Sequence, residues 1–372
     1  MTRSTPPPTI RVLVVDDSGV IRRVVTEALA SDPAIEVIGT AVDGKSAVDK
    51  VAQLKPDAVT MDIEMPNMNG IDAVRAIRKT QPKLPIVMFS TLTERGASAT
   101  LDALAAGASD YVTKPSNTGS FEESKTNVRE QLIPKLKALT GTRRVVGGGA
   151  AGAPRQVPVP TPRTRTAGKP RAGAFQALVI GCSTGGPDAL AQVLPQLPGD
   201  LPVPVLVVQH MPPLFTRLLA QRLDGNCKLT VAEAAEGDVV RPGQILIAPG
   251  GKHLMVRRQG TTVQAHLTED PPENFCRPAV DVLFRSASGL WGDRLLAVVL
   301  TGMGRDGEKG ATLIRSVGGE VFAQDEPTSV VWGMPGAVAM AGQADKVLPL
   351  LRIGQEIAAM LTRGPTPVGV AS

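Results

Sequence analysis

A segment rich in glycine and proline divides this chain into two parts. Residues 141–174 contain seven glycines and five prolines, a combined share above the roughly 25–30% that marks unstructured segments. A chain of 372 residues is expected to form two or three domains, at about 150 residues each. We therefore predict a flexible linker over 136–174 that separates a domain at 10–135 from one at 175–362. The predicted tails are residues 1–9 and 363–372.

The positive charge of the chain is concentrated in that linker. The sequence has 40 lysine and arginine residues against 35 acidic residues, a formal net charge of +5. Seven of the basic residues and none of the acidic ones lie in 141–174, which leaves the rest of the chain at −2. Neither predicted domain is therefore basic in aggregate, and aromatic residues make up only 3% of the chain. These features argue against a nucleic-acid partner.

The cysteines, the histidines and the hydropathy exclude several other classes. The three cysteines, Cys182, Cys227 and Cys276, form no Cys-x-x-Cys motif, which argues against a disulfide framework or a zinc site. The three histidines show no clustered metal-ligand spacing. The polar N-terminus lacks an apolar signal region, and no apolar run approaches the ~18 residues of a membrane span. We expect a cytoplasmic protein without a membrane span.

The first part alternates short apolar strands with amphipathic helices. Strands are predicted at 11–17, 35–40, 58–62, 85–90 and 110–112, and helices at 18–31, 44–54, 71–80, 94–106 and 119–139. Five such units predict an α/β fold with a doubly wound parallel sheet. Folds of this class bind ligands at the carboxyl ends of their strands.

Three acidic residues lie at the carboxyl ends of two predicted strands. Asp16 and Asp17 end the first strand, and Asp62 ends the third. Taken singly, each acid is more simply a helix cap or a turn residue. Taken together, they form a cluster that requires a cation, and oxygen ligands indicate Mg²⁺. Ser90 ends the fourth strand and Lys114 follows the fifth, where a hydroxyl and an ammonium can bind phosphoryl oxygens.

On these residues, the segment 10–135 resembles a two-component receiver domain. The resemblance implies that Asp62 accepts a phosphoryl group. It further implies that Asp17, Asp62 and the backbone carbonyl of Glu64 bind Mg²⁺, with Asp16 assisting. The residues implied to contact the phosphoryl group or to form its switch are Ser90, Lys114 and the aromatic Tyr111.

The second part also alternates strands with helices and contains more strands. Strands are predicted at 177–181, 203–209, 244–248, 295–301 and 320–323, and helices at 187–197, 213–223, 278–289 and 308–317. A hairpin is predicted from 252–258 and 261–267, joined around Gly260. The pattern predicts a second doubly wound, mostly parallel α/β domain.

A glycine-rich loop in this part carries a candidate nucleophile. Ser183 lies in the segment 181–186 (Gly-Cys-Ser-Thr-Gly-Gly), between an apolar strand and a helix that begins with Pro187. A strand, Gly-x-Ser-x-Gly and a helix form the nucleophile-elbow arrangement, in which helix N–H groups can stabilise an oxyanion. The alternative is an ordinary glycine-rich turn with a capping serine.

A serine nucleophile requires a base and a carboxylate that orients it. His210 ends a strand on the sheet edge expected for Ser183, whereas His253 and His266 lie in the predicted hairpin. Asp306 lies in the glycine-rich loop after another strand. All three candidates are therefore expected at carboxyl ends of strands. Their order in the chain, Ser–His–Asp, differs from the order in α/β-hydrolases.

The loop that contains Asp306 also matches a second motif. Gly302, Gly304 and Gly307 form G-x-G-x-x-G between a strand and a helix. Asp325 lies near the position at which dinucleotide-binding folds carry the acidic residue that binds the ribose. This pattern is typical of nucleotide-dependent oxidoreductases. A carboxylate at Asp306 would oppose a pyrophosphate, however, and the motif lies late in the domain rather than in its first β/α turn.

Residues 176–362 resemble the catalytic domain of the chemotaxis protein-glutamate methylesterases. The matching segments are 181–186, 207–212, 248–253, 301–307 and 330–336. The resemblance implies a serine hydrolase in which Ser183 is the nucleophile, His210 the base and Asp306 its orienting acid. The residues implied to support the oxyanion are Met303, through its backbone N–H, and Thr184. No cofactor is expected in this domain.

Together the two resemblances cover nearly the whole chain and imply a biological role. The expected reaction is hydrolysis of glutamate methyl esters on methyl-accepting chemotaxis receptors, with release of methanol. Deamidation of receptor glutamines is expected by the same acyl chemistry. Phosphorylation by a chemotaxis histidine kinase is expected to activate the enzyme by weakening the docking of the receiver over the Ser183 cleft.

Two other classes are alternatives to this interpretation. A DNA-binding response regulator is disfavoured because the second part alternates strands and helices and shows no helix-turn-helix. A catalytically idle adaptor is disfavoured by the complete set of Ser183, His210 and Asp306.

Overall fold

The computed structural model of the protein describes residues 9–114, 120–147 and 175–362. The packing divides the chain into two compact units, residues 1–150 and 151–372. We call them the N-terminal unit and the C-terminal unit. Both predicted tails except Thr9, and most of the predicted linker, lie outside the described residues.

The N-terminal unit contains a five-stranded parallel sheet in the order β2-β1-β3-β4-β5. Its strands are β1 (Ile10–Val15), β2 (Ile35–Ala41), β3 (Ala58–Asp62), β4 (Ile86–Ser90) and β5 (Asp110–Thr113). Its helices are α1 (Gly19–Ala30), α2 (Gly44–Leu54), α3 (Gly70–Thr80), α4 (Glu94–Ala105) and α5 (Phe121–Gly147). The strand order reverses direction between β1 and β3, so a crevice forms at the carboxyl ends of these two strands. The predicted doubly wound fold is confirmed.

The last helix of this unit is longer than the sequence analysis predicts. Helix α5 continues through residues 136–147, which that analysis assigned to the linker. Leu136 and Leu139 are buried along one side of α5, which packs against α1. After Pro134, which lies within α5, no proline interrupts the chain before Pro154. The linker prediction is corrected at this end.

The C-terminal unit contains a seven-stranded parallel sheet in the order β14-β13-β12-β6-β7-β9-β8. Its strands are β6 (Ala177–Cys182), β7 (Val205–Gln209), β8 (Thr230–Glu233), β9 (Gln244–Ile247), β12 (Leu295–Val299), β13 (Glu320–Gln324) and β14 (Lys346–Leu348). The predicted hairpin is present as the antiparallel pair β10 (His253–Gln259) and β11 (Thr262–Thr268). The helices are α6 (Gly186–Val193), α7 (Pro213–Asp224), α8 (Val280–Trp291), α9 (Glu308–Ser316), α10 (Met334–Met340) and α11 (Leu350–Thr362).

The centre of this sheet determines where a site can form. Strand β6 lies between β7 and β12, and both neighbours pair with it in parallel. All residues of these three strands are buried, so the strands lie in the hydrophobic core. The strands that come after β6 in the chain are first added on the β7 side of the sheet and then, from β12 onward, on the opposite side of β6. The strand order therefore reverses between β6 and β12. The crevice of such a fold lies at the carboxyl ends of the strands on either side of that reversal.

Candidate functional site

The three residues predicted as a triad follow three adjacent strands of the C-terminal unit. Ser183 follows β6, His210 follows β7, and Asp306 lies in the loop between β12 and α9. The His210 imidazole Nε2 lies 2.8 Å from Asp306 Oδ2, and both side chains are largely buried. In the described part of the chain, the Ser183 hydroxyl makes no hydrogen bond to His210. The structure therefore assembles the histidine–aspartate pair and places the serine on the same edge of the sheet.

Two buried polar side chains hold the loop that carries Ser183. Gln209 Nε2 donates to the Ser183 carbonyl at 3.0 Å, and the Thr301 hydroxyl donates to the Thr184 carbonyl at 2.9 Å. The Ser183 N–H donates to the Thr301 carbonyl at 3.0 Å. A Cβ atom at Gly186 would lie 1.9 Å from Gln209 Oε1, so this close packing requires glycine. No sequence pattern indicates a role for Gln209, although this residue directly precedes His210.

His210 lies between a carboxylate and a thiol. Because the Asp306 carboxylate can only accept, His210 Nε2 donates to it and Nδ1 is the basic nitrogen. Nδ1 lies 3.4 Å from the Cys276 sulfur, a contact that the sequence analysis missed. Burial favours the neutral ring and lowers the pKa of His210, but the contacts with Asp306 and Cys276 outweigh burial and raise that pKa to about 9.

Asp306 also accepts hydrogen bonds from the start of a helix. Its Oδ2 accepts from the Val280 N–H at 2.6 Å, and its Oδ1 accepts from the Asp281 N–H at 3.0 Å. These groups begin α8, so Asp306 caps a helix that is distant in sequence. Burial favours the neutral acid, but the bonds from His210 and from these N–H groups outweigh it and lower the pKa of Asp306.

A second carboxylate and one amide complete this network, and the sequence analysis missed both. Asp281 Oδ1 accepts from the N–H groups of Gly307 and Gly310 at 3.0 and 2.7 Å, at the start of α9. Asn274 Nδ2 donates to Asp281 Oδ2 at 2.9 Å and to Asp306 Oδ1 at 2.8 Å. Helices α8 and α9 therefore cap each other through two carboxylates that one amide bridges. The only local signal was an acid in the first turn of a predicted helix.

The hydrogen bonds at the start of α9 also test whether the G-x-G-x-x-G motif binds a nucleotide. A dinucleotide site would need the N-terminus of α9 for a pyrophosphate. The Gly307 and Gly310 N–H groups of that helix already donate to Asp281. A Cβ at Gly302 would lie 2.4 Å from Met334 Sδ, so this glycine packs against protein. The arrangement favours a structural role for these glycines over nucleotide binding.

The groups predicted to support an oxyanion lie beside Ser183. The Met303 N–H has no acceptor among the described residues. Met303 follows Gly302, where a Cβ atom would lie 2.8 Å from Ser183 Cβ. Thr184 is buried and follows Ser183 directly. An N–H without a partner, in the loop that packs against Ser183, is a candidate donor to a developing oxyanion.

The acidic residues predicted in the N-terminal unit do converge. Carboxylate oxygens of Asp16, Asp17 and Asp62 lie within 4.8 Å of one another. Lys114 Nζ lies 2.8 Å from Asp62 Oδ2 and 3.1 Å from Asp16 Oδ2. The buried Asp16 Oδ2 nevertheless makes no hydrogen bond of ordinary geometry. Burial raises the pKa of Asp62 to about 6, and Lys114 only partly opposes that effect.

This cluster fits a hard divalent cation. Three carboxylates and a buried oxygen without a hydrogen bond are a typical donor set for Mg²⁺. The Glu64 backbone carbonyl accepts no hydrogen bond from the described residues and is available as a further oxygen donor. The Glu64 carboxylate forms an exposed ion pair with Arg95 at 3.2 Å.

Among the described residues, the two predicted switch residues make no hydrogen bond to Asp62. The Ser90 hydroxyl donates to the Gly96 carbonyl at 3.1 Å and lies 2.5 Å from the Thr100 hydroxyl, so it is directed toward α4. Tyr111 is buried, and its carbonyl accepts from Lys135 at 2.8 Å. Of the predicted phosphoryl contacts, Lys114 alone pairs with Asp62 in this structure.

Comparison with known families defines the class of each unit. The family model described as "Response regulator receiver domain" matches residues 12–124. The model described as "CheB methylesterase" matches residues 178–357. The chain therefore combines a response-regulator receiver domain with a methylesterase domain. Among the described residues, no helix is both long and apolar enough to cross a membrane.

Full-length relatives identify the family. A protein-glutamate methylesterase/protein-glutamine glutaminase from Nocardioides sp. is 59% identical over 356 residues, which cover 96% of each chain. One from Trichodesmium erythraeum is 46% identical over 350 residues, covering 94% of this chain and 98% of the relative. The crystallised catalytic domain of Thermotoga maritima CheB methylesterase is 45% identical and covers 50% of this chain and 99% of its own, with a TM-score of 0.49. This chain belongs to the protein-glutamate methylesterase/protein-glutamine glutaminase family, which confirms the family and the enzyme class predicted from the sequence.

Proposed function

We propose that this methylesterase acts on methyl-accepting chemotaxis receptors and that Ser183, His210 and Asp306 carry out the hydrolysis. The observation that carries the proposal is the 2.8 Å contact between His210 and Asp306 at the sheet edge that also bears Ser183. A carboxylate that orients an imidazole near a serine at a helix N-terminus is suited to acyl transfer. The receptor substrate is inferred from family membership.

In the first step, the Ser183 oxygen attacks the side-chain carbonyl carbon of a methylated glutamate. The His210 nitrogen that is not bonded to Asp306 takes the serine proton. The Met303 N–H stabilises the negative charge on the carbonyl oxygen, with Thr184 in support. The bond to the methoxy oxygen then breaks, and that oxygen leaves as methanol with the proton from His210.

In the second step, water hydrolyses the acyl-enzyme. His210 takes a proton from the attacking water and returns it to the Ser183 oxygen as the acyl bond breaks. The product is an ionised glutamate side chain. A glutamine substrate follows the same path, with ammonia instead of methanol as the leaving group.

The N-terminal unit is proposed to control this reaction through phosphorylation of Asp62. A chemotaxis histidine kinase is the proposed phosphodonor, and Asp16, Asp17, Asp62 and the Glu64 carbonyl are the proposed Mg²⁺ ligands. The bound cation would neutralise the acidic cluster and the incoming phosphoryl charge. Lys114 pairs with Asp62, which supports its proposed role as a contact for a phosphoryl oxygen.

Phosphorylation is proposed to relieve inhibition by the N-terminal unit. It adds about −1.5 to −2 charges at a buried carboxylate, which a compact unit can accommodate only by rearranging nearby groups. The Ser90 hydroxyl, now directed toward Gly96 and Thr100, and the buried Tyr111 are the proposed switch residues. Their rearrangement would weaken the proposed docking of the receiver over the Ser183 cleft.

Methanol release from membranes that contain methylated receptors tests the hydrolytic assignment. The full chain should release methanol, and Ser183→Ala should reduce the rate by about 10⁴-fold or more, because the acyl-enzyme cannot form. Ser316→Ala is the matched control, since Ser316 is exposed and its hydroxyl bonds only within its own helix. Near-normal release by Ser183→Ala, or equal losses in both variants, would refute the assignment.

A further inference from the structure

Phe275 is a solvent-exposed aromatic residue beside the proposed active site. The residue is 103% exposed relative to the reference state, whereas Phe121, the other phenylalanine among the exposed apolar residues, is 36% exposed. Its φ is +63°, a left-handed conformation that bulky residues rarely adopt. An unburied ring forgoes the hydrophobic stabilisation that burial would give it. An exposed ring on a strained backbone points to a function other than folding.

The loop that presents this ring, residues 269–278, is held by many contacts. Asn274 precedes the ring at φ +53° and donates to both Asp281 and Asp306. Glu273 and Cys276 exchange two backbone hydrogen bonds across the turn, at 3.1 and 2.9 Å. Further contacts to this loop come from Arg285, which pairs with Glu273 through two nitrogens, and from the buried His253, which bonds the Pro271 carbonyl. The ring is therefore presented by a pre-organised turn.

The neighbours of Phe275 in sequence contact the residues proposed to react. Cys276 Sγ lies 3.4 Å from His210 Nδ1 on one side. Asn274 Nδ2 lies 2.8 Å from Asp306 Oδ1 on the other. A polypeptide whose side-chain ester reaches Ser183 must also come close to His210, the proposed base. Because the residues on either side of Phe275 contact His210 and Asp306, such a polypeptide also lies near Phe275.

We propose that Phe275 is a docking contact for the receptor polypeptide and packs against its apolar side chains next to the methylated glutamate. This inference rests on the proposed function. A rigid aromatic side chain loses little conformational entropy when a partner covers it, which suits an anchor at an interface. The ring does not touch the reacting atoms. Its loss should therefore weaken receptor binding and leave the chemistry intact.

The test compares two substrates in the full chain. Phe275→Asn removes the ring but tolerates the left-handed backbone, and Phe275→Tyr keeps an aromatic ring. For methanol release from methylated receptor membranes, Phe275→Asn should raise KM about tenfold and leave kcat within about twofold, while Phe275→Tyr stays near wild type. Hydrolysis of p-nitrophenyl acetate, which has no polypeptide part to pack against the ring, should be unchanged. Phe121→Ala is the matched control for loss of another exposed phenylalanine.

Three outcomes would overturn the proposal. An unchanged receptor KM in Phe275→Asn would show that the ring does not bind substrate. Equal losses on both substrates would assign the loop a structural role. A rise in unphosphorylated p-nitrophenyl acetate hydrolysis would show that the ring binds the N-terminal unit of its own chain instead. If the wild-type chain itself releases no methanol from receptors, the proposed function fails. This result differs from the three outcomes above, all of which require an active wild-type chain.

Discussion

His210 must lose a proton before it can act as a base, and its surroundings oppose that loss. The contacts with Asp306 and Cys276 raise the pKa of His210 to about 9, against the lowering effect of burial. At neutral pH the protonated ring therefore predominates, and only the small neutral fraction can take the Ser183 proton. A carboxylate that orients the ring also stabilises its charged form, so the ring becomes a stronger base but a smaller fraction of it is neutral at a given pH.

This balance predicts the pH dependence of catalysis. Because only the neutral ring is active, kcat/KM should rise about tenfold per pH unit between pH 7 and 8 and level off near the pKa of His210, about 9. Cys276→Ala removes one of the contacts that raise this pKa, so its plateau should begin at a lower pH. Cys227→Ala is the matched control, because this half-buried cysteine is not among the groups that raise the pKa of His210. A flat profile from pH 7 to 9, or an upward shift in Cys276→Ala, would contradict the prediction.

The residues of this site differ in how far the sequence could predict them. Ser183, His210 and Asp306 each follow a strand, and a parallel sheet brings such positions to one edge whatever the details of the loops. Asn274 and Cys276 could not be placed this way, because they lie in an irregular turn with no strand to fix its position. Their location depends on hydrogen bonds to residues seven to 66 positions away, which periodicity does not show.

The start of α9 depends on a side chain from α8. The helix has no capping side chain of its own, because Gly307 occupies its N-cap position. Asp281 supplies the acceptor for the Gly307 and Gly310 N–H groups, while Asp306 does the same for α8. The two helices therefore depend on each other for the hydrogen bonds that their own N-cap residues cannot provide.

Asp281→Ala should destabilise the C-terminal unit. It leaves the Gly310 N–H without an acceptor and the Gly307 N–H with Asp306 Oδ1 alone, which costs about 1–3 kcal/mol. Relief of the repulsion between Asp281 and Asp306 offsets only part of this cost. For a unit of this size, the unfolding temperature should fall by roughly 3–10 °C, as measured by calorimetry of the full chain. Asp270→Ala, at an exposed loop position, should unfold like wild type. Equal unfolding temperatures in both variants would show that Asp281 does not stabilise α9.

The sequence predictions omit two edge strands and the helices α10 and α11 of the C-terminal unit, and they end α5 too early. Strands β8 and β14 have four and three residues at the two edges of the sheet, too few for a period of two to stand out. Buried central strands such as β6 and β12 were predicted because they are continuous apolar runs. The extension of α5 was missed because the glycine at 141 suggested an end, whereas packing against α1 favours continuation.

At the scale of the whole molecule, the two units contain different chemistry. The N-terminal unit has an oxygen-donor cluster and a lysine, which suit a cation and a phosphoryl group. The C-terminal unit has the histidine–aspartate pair and the serine loop, which suit acyl transfer. In the proposed mechanism Mg²⁺ serves only phosphorylation. Removal of the cation should therefore separate control from catalysis within one chain.

Chelation with EDTA tests that separation on methylated receptor membranes. Methanol release without a phosphodonor should stay within about twofold, whereas the increase caused by a small acyl phosphate should vanish and return with excess Mg²⁺. Asp62→Asn should lack the increase under every condition, because it has no carboxylate to phosphorylate. Asp49→Asn, an exposed acid in α2, should behave as wild type. An increase that survives EDTA or Asp62→Asn would place control elsewhere, and loss of basal release on chelation would mean that hydrolysis itself needs the metal. Because the basal rate and the increase are read from the same chain, unfolding of the C-terminal unit would lower both and could not be mistaken for loss of control.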